Sequence, residues 1–88
     1  MVTGTHDPQY IELIARLRNA RKAKKLSQKE LGELLNKPQS FVSKVETCER
    51  RLDAIETANW CIALGIALED ALPPVVKKAL KDAAEKGR

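Results

Sequence analysis

The 88-residue chain reads as all-α, a compact bundle of about five helices, and three observations carry that reading. Apolar residues recur at steps of three and four along several segments, and no stretch alternates with the period of two that a half-buried strand needs. The aromatic residues that sheets favour are down to one Trp, one Tyr and one Phe, which leaves a core of Leu, Ile, Val and Ala. Helix start and stop signals also punctuate the chain at short intervals.

Residues 1–7 read as a flexible leader whose last member, Asp7, can cap a first helix opened by Pro8. Tyr10, Leu13, Ile14, Leu17 and Ala20 form the apolar stripe of that helix, which is expected to run to about Lys24. Leu26 lies in the connection and is expected to tuck inward. Ser27 and Glu30 have the spacing of a capping box, in which each side chain accepts from the other residue's backbone N–H. Leu31, Leu34 and Leu35 are the expected buried side of a short second helix. Gly32 inside it costs about 1 kcal/mol against Ala, and close approach of another helix is the natural reason for it.

Asn36 tolerates the left-handed conformation that ends many helices. Pro38 then forbids simple continuation and suits the first position of a third helix, expected from Pro38 to about Thr47. Val42 and Val45 face the core there, which leaves Gln39, Ser40, Ser43 and Lys44 on the other side. Cys48 to Leu52 is a polar connection. Asp53 caps a fourth helix with the stripe Ile55, Ala58, Cys61, Ile62 and Leu64, and Gly65 stops it. Residues 66–72 can hold a short helical turn. Pro73-Pro74 breaks the chain before a last helix, Val75 to about Lys86, with the apolar face Val76, Ala79, Leu80, Ala83 and Ala84.

The totals narrow the function. Apolar residues make up 43% and charged residues 32%, a globular balance. No apolar run approaches the roughly 20 residues of a membrane span, and Met1 to Asp7 lacks the basic start and apolar stretch of a secretory signal, so a cytoplasmic protein is expected. Cys48 and Cys61 make no disulfide framework, and with the single His6 they make no metal site. There is no Gly-rich phosphate loop and no pairing of nucleophile and base, so neither an enzyme nor a cofactor or small-molecule ligand is expected. The net charge of +4 is concentrated: seven basic residues and no acid lie between Arg16 and Lys29. Such a run is either a solvated helix face or a field suited to a polyanion.

A short helix, a turn of about three residues and a second short helix form the spacing of a helix-turn-helix. A helix bearing Gln, Ser and Lys suits the major groove, where each base pair displays its own donor–acceptor pattern. Gln39 can pair with adenine N6 and N7, and Lys44 can donate to guanine O6 and N7. Ser40 and Ser43 are short enough to let the backbone approach. Gln28 opens the second helix, where backbone N–H groups and the dipole favour a phosphate. Lys37, Arg50 and Arg51 flank the third helix and suit the DNA backbone. Phe41 either packs half-buried or touches a thymine methyl, and Trp60 either marks an interface or is partly buried in the core.

Ser27-Gln28-x-Glu30-Leu31, then Pro38-Gln39-Ser40-Phe41-Val42-Ser43-Lys44-Val45-Glu46, then Glu49-Arg50-Arg51, resembles the Xre family of phage-repressor and Cro-like helix-turn-helix proteins. The resemblance covers roughly Leu17 to Ile66 and implies a lambda repressor-like bundle that binds double-stranded operator DNA, commonly as a two-fold dimer. It places Gln28 on a phosphate and Gln39, Ser40, Ser43 and Lys44 on bases. Three positions depart from the family pattern: Gly32 replaces its usual Ala, Asn36 its usual Gly, and Cys48 a frequent Gly. A Cys at positive φ is strained, so the third helix is expected to end differently here.

The expected organisation is a leader over 1–7, the helix-turn-helix domain over 8–72 and a C-terminal helix over 73–88. Val76, Leu80 and Ala83 of that last helix suit a dimer seam, a site for a protein partner such as a toxin or an adaptor target, or plain core. A repressor of a palindromic operator, an antitoxin and a restriction–modification controller are the readings compatible with this layout.

Overall fold

The computed structural model describes residues 7–86 and contains six helices and no strand among them. They are α1 (Pro8–Ala23), α2 (Gln28–Leu35), α3 (Gln39–Glu46), α4 (Ala54–Leu64), α5 (Leu68–Ala71) and α6 (Pro74–Lys86). The expected leader, His6 included, falls outside the described residues except for Asp7.

Local capping chemistry sets most of the boundaries. Asp7 caps α1 by accepting from the Gln9 N–H at 2.8 Å. Ser27 and Glu30 form the capping box of α2, and Asp53 and Glu56 form a second one on α4. Asn36 closes α2 at φ 58°, and Gly65 closes α4 at φ 69°. Cys48 stands at φ 63°. Helix α3 therefore ends in the left-handed turn that a Gly would give, with the Glu49 N–H reaching the Lys44 carbonyl at 2.8 Å. This corrects the expectation of a different ending: that bond and the one from the Cys48 N–H to the Val45 carbonyl at 3.0 Å hold Cys48 in a conformation a Cβ disfavours. Pro38 is extended and caps α3 rather than opening it, so the helix begins one residue later than expected.

The core joins Tyr10, Ile14 and Leu17 of α1 to Leu31 of α2, Val42 and Val45 of α3, Trp60, Cys61 and Leu64 of α4, and Ala71 of α5. Leu26 packs inward as expected. The close approach anticipated at Gly32 comes from the turn: a Cβ there would lie 2.7 Å from the Lys37 carbonyl oxygen. The chain must fold back this tightly to bring α3 across α2, and only Gly leaves room.

Two expected apolar faces are corrected. Ile55 and Ile62 of α4 are 72% and 76% exposed, because Thr57, Trp60, Cys61 and Leu64 take the inward arc and the isoleucines lie on the opposite one. Leu34 of α2 is 58% exposed, and Leu31 with Gly32 takes the inner position instead. Helix α6 buries no residue at all. Val76 is half-buried and Leu80 is exposed, and the plain-core reading of that face is thereby removed.

Candidate nucleic-acid interface

Helix α3 divides its residues by face. Val42 and Val45 have no exposed surface, whereas Gln39, Ser40 and Lys44 are exposed and Ser43 is half-buried. The anticipated base-facing residues thus share one side of one short helix, with Ser43 at its margin.

What holds that side in place lies beneath it. The Arg21 guanidinium of α1 grips the Glu46 carboxylate of α3 through Nε at 2.7 Å and Nη2 at 3.0 Å, and its Nη1 donates to the Leu26 carbonyl at 2.7 Å. Both side chains are nearly covered, 9% and 3% exposed. A buried pair of this kind adds little net stability but is costly to break, so it acts as a register pin between α1 and α3. Arg21 belongs to the basic run at 16–29, and its burial takes one charge out of the field that the run implied. Arg16 pairs with Glu12 at 3.1 Å, while Arg18, Lys22, Lys24, Lys25 and Lys29 remain exposed.

The same carboxylate orders two amides in sequence. Gln28 donates its Nε2–H to Glu46 Oε1 at 3.0 Å, and Gln39 donates its Nε2–H to Gln28 Oε1 over a long 3.5 Å. A carboxylate can only accept, so it draws the amide N–H of Gln28 toward itself and leaves that residue's oxygen for Gln39. Gln39 is then left with an oxygen and a second N–H. That donor–acceptor pair matches the N6 and N7 edge of adenine.

Around α3 the expected backbone-contacting cations are present and exposed. Lys37 Nζ and the Arg50 guanidinium lie over the Phe41 ring at 5.4 and 4.9 Å from its centre. The Arg51 guanidinium lies 4.3 Å from the centre of the Tyr10 ring. Tyr10 also accepts the Leu52 N–H at 3.0 Å, which ties the loop carrying these arginines to α1. Arg50 donates to Glu56 at 2.6 Å. That bond raises the pKa of Arg50 and, with the Asp53 backbone N–H, lowers that of Glu56. Phe41 is half-buried against the core and meets Trp60 with a tilt of 56°. Trp60 itself is fully interior, 1% exposed, which decides its two readings for the core.

Sequence reasoning missed Arg21 and Glu46 as the anchors of this face. The available signal was Glu46 itself, the one acid on the short α3. Val76, Leu80 and Ala83 lie on α6, remote from this arrangement in sequence, with Val76 half-buried and the other two exposed.

The helix-turn-helix family matches residues 17–70. An XRE-family-like protein from Pseudomonas syringae pv. tomato is 40% identical, with a TM-score of 0.73, over 85% of this chain and 89% of its own. The restriction–modification controller protein C.AhdI from Aeromonas hydrophila is 30% identical, with a TM-score of 0.66, over 72% of this chain and 96% of its own. The clp gene regulator ClgR from Corynebacterium glutamicum is 26% identical, with a TM-score of 0.68, over 85% of this chain and 95% of its own. None of the curated proteins matches the chain.

Proposed function

The chain belongs to the Xre group of the helix-turn-helix family, DNA-binding regulators rather than enzymes, and from that premise we propose that it is a homodimeric repressor of an approximately palindromic operator. The observation that carries the reading is the single exposed face of α3, where Gln39, Ser40 and Lys44 are open to solvent while the Arg21–Glu46 pair that anchors the helix is buried. Gln39 reads adenine, Lys44 reads guanine, and Ser40 and Ser43 line the close approach. Gln28, Lys37, Arg50 and Arg51 hold the phosphates on either side, and Phe41 serves packing more than thymine contact because its ring is half-buried beneath two cations.

The dimer rests on α6. Its apolar residues Leu80 and Ala83 are exposed and Val76 is half-buried, and beside Leu80 a half-open groove of about 480 Å³ is lined by Glu69, Lys77, Lys81 and Ala84. Lys78 and Asp82 pair within the helix at 3.0 Å and Lys77 pairs with Asp70 at 3.4 Å, which leaves Leu80 and Ala83 as the apolar surface an antiparallel second copy would cover. A two-fold pair presents its recognition helices about 34 Å apart, in successive major grooves. A restriction–modification controller is one form of the same reading, favoured by the likeness to the Aeromonas controller over nearly all of that chain.

Sedimentation with a duplex carrying the preferred site tests this directly. Two chains per duplex are expected, and Leu80→Asp should leave monomers that bind far more weakly. A tight complex of one chain per duplex would exclude the dimer. If α6 instead binds a toxin or another protein, Leu80→Asp abolishes that complex while DNA affinity is unchanged.

A further inference from the structure

The indole Nε1–H of Trp60 is the one buried side-chain polar group among the described residues that has no hydrogen-bond partner. Buried indole N–H groups ordinarily find one, because an unpaired donor carries its full desolvation penalty. An orphan in an otherwise satisfied core therefore asks for a physical account.

Trp60 is also among the residues that line a half-open cleft of about 40 Å³ between the α2–α3 turn and α4. Leu35, Lys37, Phe41, Glu56 and Asn59 complete its lining. A single water needs on the order of 10–15 Å³ of such space, so the cleft has room for an oxyanion. The charges at its mouth favour one. Lys37 and Arg50 both lie over Phe41. The single acid on the wall, Glu56, is already bonded to Arg50 at 2.6 Å and to the Asp53 N–H at 3.0 Å. Arg50 and Glu56 offset each other, so Lys37 is the uncompensated charge among the lining residues. The remaining polar lining groups, the Lys37 ammonium, the Asn59 amide and the Trp60 indole, can all donate.

We propose that this cleft seats one phosphodiester of the bound duplex, with Lys37 supplying charge and Asn59 and the Trp60 indole supplying directed hydrogen bonds. The proposal rests on the DNA-binding reading and adds to it a site behind the recognition face. A helix lying in the major groove runs its flank along the phosphates of a strand, and this flank of α3 carries Phe41, with Lys37 of the preceding turn and Arg50 of the following loop over its ring. The indole donor is covered in the unbound chain, so seating the phosphate requires rim side chains to move aside. Lys37 and Asn59 are both exposed and have room to do so.

Trp60 is the only tryptophan in the chain, so a nitrogen-15-labelled sample gives a single indole N–H resonance. The probe is a fluorescein-labelled duplex of arbitrary sequence, about two helical turns long, at low salt where backbone contacts dominate. Anisotropy reports whether the duplex binds, and the indole resonance reports whether the cleft is filled. The expected result is a downfield shift that tracks the anisotropy titration. Lys37→Ala should remove most of the shift, and Trp60→Phe should weaken binding about fivefold, the worth of one hydrogen bond. Binding with a stationary indole resonance overturns the seat while leaving the DNA-binding reading intact. An equal shift from inorganic phosphate alone overturns its assignment to the duplex. No change in anisotropy overturns both. Because the wild-type resonance is the primary readout, the test does not depend on the Trp60 variant folding.

Discussion

Arg21 and Glu46 are 25 residues apart in sequence and meet through two hydrogen bonds of 2.7 and 3.0 Å, nearly out of reach of solvent. The bond ties the first helix to the end of α3, and Gln28 hangs from the same carboxylate. One buried ion pair therefore governs both the docking of α3 and the orientation of the amides on its surface.

Removing one partner leaves an uncompensated charge in the core. Glu46→Ala should cost about 3–5 kcal/mol in urea unfolding, enough to unfold a small domain in large part. The double variant Arg21→Met, Glu46→Leu should recover most of that stability without recovering DNA affinity, because Gln28 and Gln39 lose their anchor. Full recovery of both would show that the pair only fills space.

Gly32→Ala sets two rules against each other. Helix propensity favours Ala by about 1 kcal/mol. The added Cβ, however, would lie 2.7 Å from the Lys37 carbonyl, which is backbone and cannot swing away. The clash should win, and thermal unfolding should show a destabilisation of about 1–3 kcal/mol. A variant as stable as the parent would mean that the turn relaxes freely.

Base-reading and backbone cations should separate by sequence and salt. Lys44→Ala should weaken the preferred site by about 1–3 kcal/mol and relax one base position, with little effect on scrambled DNA. Arg51→Ala should weaken every duplex alike and reduce the salt slope by about one unit. Equal losses from Lys44→Ala on both duplexes, or an unchanged slope for Arg51→Ala, would contradict these assignments.

The Glu56 carboxyl sits below its ordinary pKa, first because Arg50 donates to it and then because of the Asp53 backbone N–H. A lowered folded-state value means that its stabilising effect is complete above the unfolded carboxylate range, near about pH 4.3. That effect is lost as pH falls through the folded value. Melts between neutral and acid pH should therefore show Glu56→Gln destabilised at pH 7, with the gap to the parent narrowing as both are acidified. A gap that widens in acid would reverse the sign.

The parts of this fold legible in the sequence are those set by short-range chemistry. Asp7 with Pro8, Ser27 with Glu30, Asn36, Asp53 and Gly65 each mark a helix end through groups within a few residues, and each end stands where its cap places it. What stayed hidden depends on distant partners. Helix α4 carries apolar residues on two arcs, and only the packing of α1, α2 and α5 against it decides that Thr57 and Trp60 go inward while Ile55 and Ile62 stay out. Arg21 looks like its basic neighbours until Glu46 arrives from α3. The exposed face of α3 needed only the spacing of Val42 and Val45 along that helix, so the exposure of Gln39, Ser40 and Lys44 was readable while the anchor beneath them was not.

Selection of random duplexes by the purified protein near physiological salt, followed by sequencing, tests the central claim most directly. The account predicts an approximate palindrome with half-sites about ten base pairs apart and an adenine at the position lost in Gln39→Ala. Enrichment of no sequence, with only weak salt-sensitive binding, would contradict it.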